Sequence, residues 1–186
     1  MTKPTIVNFM GAPGAGKTTL AERISQETGM YFFQREAVLD SIFGTERDTP
    51  AYNQLAGPIT KAMYEVAVIN AKLGVSSITE APLKPAIQGE RAGFLDTMIE
   101  AGKQHDFNVA VIYCTAPADT VLAYLKQRGA ARDEPKYDPT NTETGWPWFL
   151  KTFIDVPGPT LYEHLRVDTT LSVDRNVKNI LEYLQR

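Results

Sequence analysis

The chain has 186 residues, 43% hydrophobic and 22% charged, the balance of a soluble globular protein long enough to bury a full core. Its formal net charge of −3 argues against a dominant nucleic-acid or membrane-surface partner, although a local basic groove is compatible with that total. The single cysteine, Cys114, leaves no internal disulfide to form. With no signal-like N-terminus and no apolar run near the roughly 20 residues of a membrane span, a cytoplasmic location is expected.

In chain order, residues 6–10 read as a first apolar strand and 18–28 as a helix whose inner face carries Leu20 and Ile24 and which stops at Gly29. A short strand over 30–33 precedes a helix over 36–43, a polar turn over 44–50 and a long helical pattern over 52–73 ended by Gly74. Residues 75–79 read as a third strand and 85–101 as one helix. The clearest buried strand is 107–113, followed by a helix over 117–127. Residues 129–146 are rich in Gly, Pro, Asp, Asn and Thr and read as a loop. A strand over 166–169 and a helix over 173–184 close the chain. This alternation predicts an α/β fold: three layers around a doubly wound, five-stranded parallel sheet, in one domain over 1–186, with ligands at the carboxyl ends of the strands.

Between the first strand and first helix stands Gly11-Ala12-Pro13-Gly14-Ala15-Gly16-Lys17-Thr18-Thr19, which fits G-x-x-x-x-G-K-[ST]. Backbone N–H groups in such a loop converge on an anion, and the helix after it aims its positive end at the same point. Lys17 then supplies a cation for the β- and γ-phosphates, and Thr18 a hydroxyl for Mg²⁺. ATP with Mg²⁺ is the expected ligand. The guanine signature Asn-Lys-x-Asp is missing: its nearest string, Asn176-Val177-Lys178-Asn179, lacks the aspartate. A large AAA+ machine would need more chain and a second module, whereas a kinase of small molecules fits the length.

Three shorter motifs accompany the loop: Gln34-Arg35-Glu36 after the second strand, Ile78-Thr79-Glu80-Ala81 after the third, and LKQRGAARD (residues 125–133) after the fourth. In order and spacing the chain resembles the small P-loop kinases that include zeta toxins, chloramphenicol phosphotransferase, gluconate kinase and the kinase half of polynucleotide kinase. The resemblance covers most of the chain. It implies a P-loop NTPase of nucleotide-kinase type that moves the γ-phosphoryl group of ATP to a hydroxyl.

That family places an acid after the second strand. Glu36 is therefore the candidate base, with Asp40 one helical turn on as the alternative. Glu80, at a strand end, would hold a Mg²⁺-bound water beside Thr18. Arg128 and Arg132 would flank the start of a mobile lid over about 128–146, one stacking on the base and one meeting charge on the transferred group. Trp146, Trp148 and Phe149, or Tyr52 and Asn53, are weaker candidates for an acceptor wall. Cys114 reads as packing, and His105 and His164 lack metal-ligand spacing. The expected partner is a small hydroxyl acceptor, on a monomer or homodimer. A 5′-hydroxyl polynucleotide kinase and an ATP-dependent regulatory protein remain the alternatives, the former weakly opposed by 19 Lys plus Arg against 22 Asp plus Glu.

Overall fold

The computed structural model describes residues 3–44, 49–132, 139–140 and 142–185, the side chains of 130–132 excepted. Five strands, β1 (Thr5–Gly11), β2 (Tyr31–Phe33), β3 (Ser77–Glu80), β4 (Asn108–Thr115) and β5 (Leu165–Asp168), form one sheet in the order β2-β3-β1-β4-β5. Every pairing is parallel. The expected doubly wound sheet is present.

Helices α1 (Lys17–Thr28) and α8 (Val173–Leu184) pack together on one face, and α3 (Pro50–Lys72) and α5 (Gly93–His105) on the other, as right-handed crossovers in this strand order require. Helix α2 (Arg35–Phe43) leans on α3. A short α4 (Lys84–Ile87) follows β3, and α6 (Ala118–Arg132) follows β4. Beyond 144 lie α7 (Gly145–Phe149) and a π-helical turn, Leu150–Ile154.

The strand β1 is buried along its whole length, as a central parallel strand covered on both faces must be. Its apolar side chains join Leu20, Ala21 and Ile24 of α1 and Leu95 and Met98 of α5 in the core. Of its two polar side chains, Thr5 and Asn8, the second donates from its amide nitrogen to Thr79 Oγ1 at 2.8 Å within the sheet.

Two expectations change in detail. The helical pattern over 85–101 is split, because Gly89 at φ +80° turns the chain between α4 and α5. The loop read over 129–146 is shorter at both ends: α6 continues to Arg132, and Gly145 opens a helical turn. Propensity at Gly129 and Pro147 is outweighed by continuation of the neighbouring helical hydrogen bonds.

Gly11 ends β1 opposite Cys114 with φ +145°, and a Cβ built on it would lie 2.3 Å from the Cys114 carbonyl oxygen. Neither the backbone angle nor the space admits a side chain. Gly11→Ala should therefore lose about 1–3 kcal/mol of unfolding free energy, read as a lower denaturant midpoint at unchanged slope. An unchanged midpoint would show that the β1–β4 approach is looser than this geometry.

Candidate active site

The phosphate-loop motif leads from the end of β1 into the first turn of α1, with Gly16 as the N-cap at φ +76°. Inside the loop, the Ala15 N–H closes a turn on the Ala12 carbonyl at 3.1 Å, so that donor is used by the loop itself. Lys17 folds back over the loop. Its Nζ donates to the carbonyls of Ala12 at 2.9 Å and Gly11 at 3.2 Å, and only 8% of the residue is exposed. Burial lowers its pKa, opposed chiefly by the carboxylate of Glu80.

Glu80 ends β3, where a side chain at the carboxyl edge enters the crevice. It is 7% exposed and accepts from Thr18 Oγ1 at 2.9 and 3.1 Å, one bond to each carboxylate oxygen. Its pKa is raised by burial, against the pull of Lys17 and the Thr18 hydroxyl. Thr79 points away from this group, to Asn8, as strand alternation requires.

Glu36 sits in the first turn of α2, a favourable place for an acid. It pairs with the guanidinium of its neighbour Arg35, whose Nε also donates to Thr60 Oγ1 on α3 at 2.8 Å. Two helices are tied there by one side chain.

These groups open on one cavity of about 750 Å³. Pro13, Gly14 and Gly16–Thr19 form its floor, Glu36, Tyr52 and Glu80 one end, and Arg128 with Tyr124 and Leu125 of α6 the roof. Thr169, Leu171 and Asn176 complete the other end. The structure thus brings Lys17, Thr18, Thr19, Glu36, Glu80 and Arg128 to one place. Asp40 does not line it. The Arg132 side chain, like residues 133–138 and 141 of the lid segment, lies outside the described residues. Ala12 and Ala15 face the opposite side of the loop, where a second cavity lies.

Tyr124, Thr169, Leu171 and Asn176 carry no motif. The last three follow β5, and the rule that ligands sit beyond the carboxyl ends of strands would have found the segment though not the residues. Asn176 fixes that loop by donating to Asp168 O at 2.9 Å and Leu171 O at 3.5 Å.

A protein-family model described as an AAA domain matches residues 6–143. The chain belongs to that family. By sequence, no curated protein matches the chain.

Among solved structures, a candidate kinase from Chloroflexus aurantiacus is 19% identical with a TM-score of 0.73, covering 100% of this chain and 98% of that one. A gluconokinase from Sinorhizobium meliloti is 16% identical with a TM-score of 0.64, covering 100% and 94%. The Mycobacterium tuberculosis APS kinase, solved with AMPPNP and APS, is 16% identical with a TM-score of 0.62, covering 100% of both chains. At these identities the likeness is one of fold, and at that level the resemblance to small P-loop kinases holds.

Cys114 is packed behind the loop, 1% exposed, and burial pushes its thiol up to about 12. As pH rises past the ordinary thiol range the unfolded chain loses this proton first, so the contribution of Cys114 to stability falls there. At about pH 8 such a thiol is ionised in roughly one molecule in ten thousand. Iodoacetamide should therefore leave the native protein unmodified for hours at that pH and label it promptly in denaturant. Rapid native labelling would mean that the floor behind the loop opens.

Proposed function

We propose that the protein is a Mg²⁺- and ATP-dependent kinase that transfers the γ-phosphoryl group to a hydroxyl of a small-molecule acceptor. The observation that carries this reading is the convergence of the phosphate loop, two carboxylates from different strand ends and an arginine of α6 on one cavity. A nucleotide switch needs the loop and a metal-side acid. It has no use for a second acid in the same cavity.

In this reading the loop amides and Lys17 hold the β- and γ-phosphates, Lys17 leaving the Gly11 and Ala12 carbonyls to do so. The hydroxyl of Thr18 and the carboxylate of Glu80 are hard oxygen donors already in contact, which suits a Mg²⁺ that takes few protein ligands and keeps several waters. The ion, when bound, would neutralise charge on the phosphates. Thr169, Leu171 and Tyr124 provide the walls for adenine.

Glu36 faces the acceptor and takes its proton. Arg35 keeps that carboxylate aimed by holding it against α3. Arg128 meets the transferring charge, joined by Arg132 when a lid over about 128–146 closes and excludes water that would compete as acceptor. The domain from 1 to 186 acts as one unit in this scheme, in a soluble, cytoplasmic protein.

A screen of ATP consumption against pooled sugars, antibiotics, other hydroxyl metabolites and 5′-hydroxyl oligonucleotides would find the acceptor. Transfer of label to a small compound supports the reading, and transfer only to oligonucleotide ends, with steep salt dependence, replaces it.

Lys17→Ala should keep the fold and lose most affinity for Mg·ATP. Unchanged ATP binding by calorimetry would remove the nucleotide from this cavity. Glu36→Gln should bind ATP normally while turnover falls by about 100-fold or more, since the amide keeps the size but cannot accept the proton. Asp40→Asn, outside the cavity lining, should leave turnover within about two-fold; the reverse pattern would transfer the role to Asp40.

A further inference from the structure

A second cavity, of about 610 Å³, lies behind the phosphate loop and takes no part in the proposed reaction. That size is within the range of small-molecule sites. Ala12 and Ala15 form the wall it shares with the loop, whose other side, at Gly14 and Gly16, lines the first cavity.

Its floor is the β4–β5 ladder. Tyr113 pairs with Arg166 and Thr115 with Asp168, so these four side chains stand on one face of the sheet. Val167, between the two charges, is buried on the opposite face. The roof is apolar: Phe153, Ile154, Val156 and Pro157 from the π-helical turn and the chain after it.

The two charges on this floor are of opposite sign and both side chains are exposed; they attract each other along the strand without forming a direct ion pair. Arg166 makes no ion pair or hydrogen bond among the described residues. One oxygen of Asp168 accepts from the Thr170 amide at 2.9 Å and hydroxyl at 2.7 Å, and these bonds, helped by the charge of Arg166, lower its pKa. Two residues apart along a strand, their Cα atoms are about 7 Å from each other. A ligand carrying both charges on adjacent atoms can reach both side chains.

A polyanion would be repelled by Asp168, and a simple cation by Arg166. The apolar roof asks for an apolar substituent.

We propose that this second cavity binds a free amino acid with an apolar side chain, its carboxylate on Arg166, its ammonium on Asp168 and its side chain under Phe153 and Pro157. The Tyr113 and Thr115 hydroxyls, on the same face, complete the polar floor. Such a ligand touches the phosphate loop from the side that the nucleotide does not.

The test is calorimetric titration of phenylalanine and leucine into the full chain, a readout that needs no turnover and so stands or falls apart from the kinase reading. Binding of at least one is expected. For phenylalanine, each half-ligand, 3-phenylpropionate without the ammonium and phenethylamine without the carboxylate, should bind at least about 10-fold more weakly, the usual worth of one charge-assisted hydrogen bond. Arg166→Gln should weaken amino-acid binding by about 10-fold or more, and Asp168→Asn likewise, while Arg166→Gln leaves Mg·ATP affinity within about two-fold. Absence of binding by both amino acids at about 10 mM would overturn the proposal. So would half-ligands that bind equally well, indifference to Arg166→Gln, or competition with ATP, which would place the amino acid in the first cavity.

Discussion

Phe9 and Glu80 are partners in the β1–β3 ladder, and the Ala81 N–H to Phe9 carbonyl bond, 3.1 Å, carries the pairing one step beyond β3. That step sets the carboxylate of Glu80 against the Thr18 hydroxyl at the start of α1. A slip of one residue would exchange Glu80 for Thr79 and turn the acid to the opposite face, because strand side chains alternate with a period of two. The register is held from both sides: Asn8 bonds Thr79 within the sheet, and Gly11 closes on the Cys114 backbone. The loop, Glu80 and the strand behind them are therefore placed by one central strand.

The same register buries two charges of opposite sign. Each of Lys17 and Glu80 is pushed toward its neutral form by burial and drawn back by the other. Neither lacks hydrogen-bond partners, since Lys17 has two loop carbonyls and Glu80 the Thr18 hydroxyl. The two make no direct ion pair among the described residues, so each is held by its own hydrogen bonds and the attraction between them acts at longer range. A cation and an acid so arranged keep the loop ordered before any phosphate arrives.

The phosphate-loop end of the cavity was largely legible because its geometry is local. A glycine with φ +76° before a helix, a lysine and a threonine must stand at fixed offsets, and the string Gly16-Lys17-Thr18 records those offsets directly. The sheet was legible for a similar reason: five apolar runs separated by helical patterns admit few parallel arrangements. Strand ends differed by a residue or two, and the helix over 85–101 was misread because Gly89 breaks it with a turn that apolar periodicity does not register. Tyr124 and Leu171 were invisible, since their place in the cavity comes from how α6 and the β5–α8 loop pack.

The Glu36 end of the cavity lies at the other extreme. Helix α3 carries Pro58 in its interior, where the missing N–H leaves the Gln54 carbonyl without its usual donor four residues on. Thr60, just past that point, donates its hydroxyl to the Ala56 carbonyl at 2.7 Å, a back-bond of the kind that bends helices. The oxygen of Thr60 then accepts from Arg35, whose remaining charge is met by Glu36. Tyr52, at the near end of α3, is packed edge-on against Phe43 of α2 and lines the cavity. The position of Glu36 over the cavity is therefore fixed by a tie between two helices, at residues 35 and 60, which are 25 apart in the chain. No spacing within a single segment encodes that tie. An acid after the second strand can be read from the string Arg35-Glu36, but what faces it depends on how α2 packs on α3 and on the hydroxyl of Thr60.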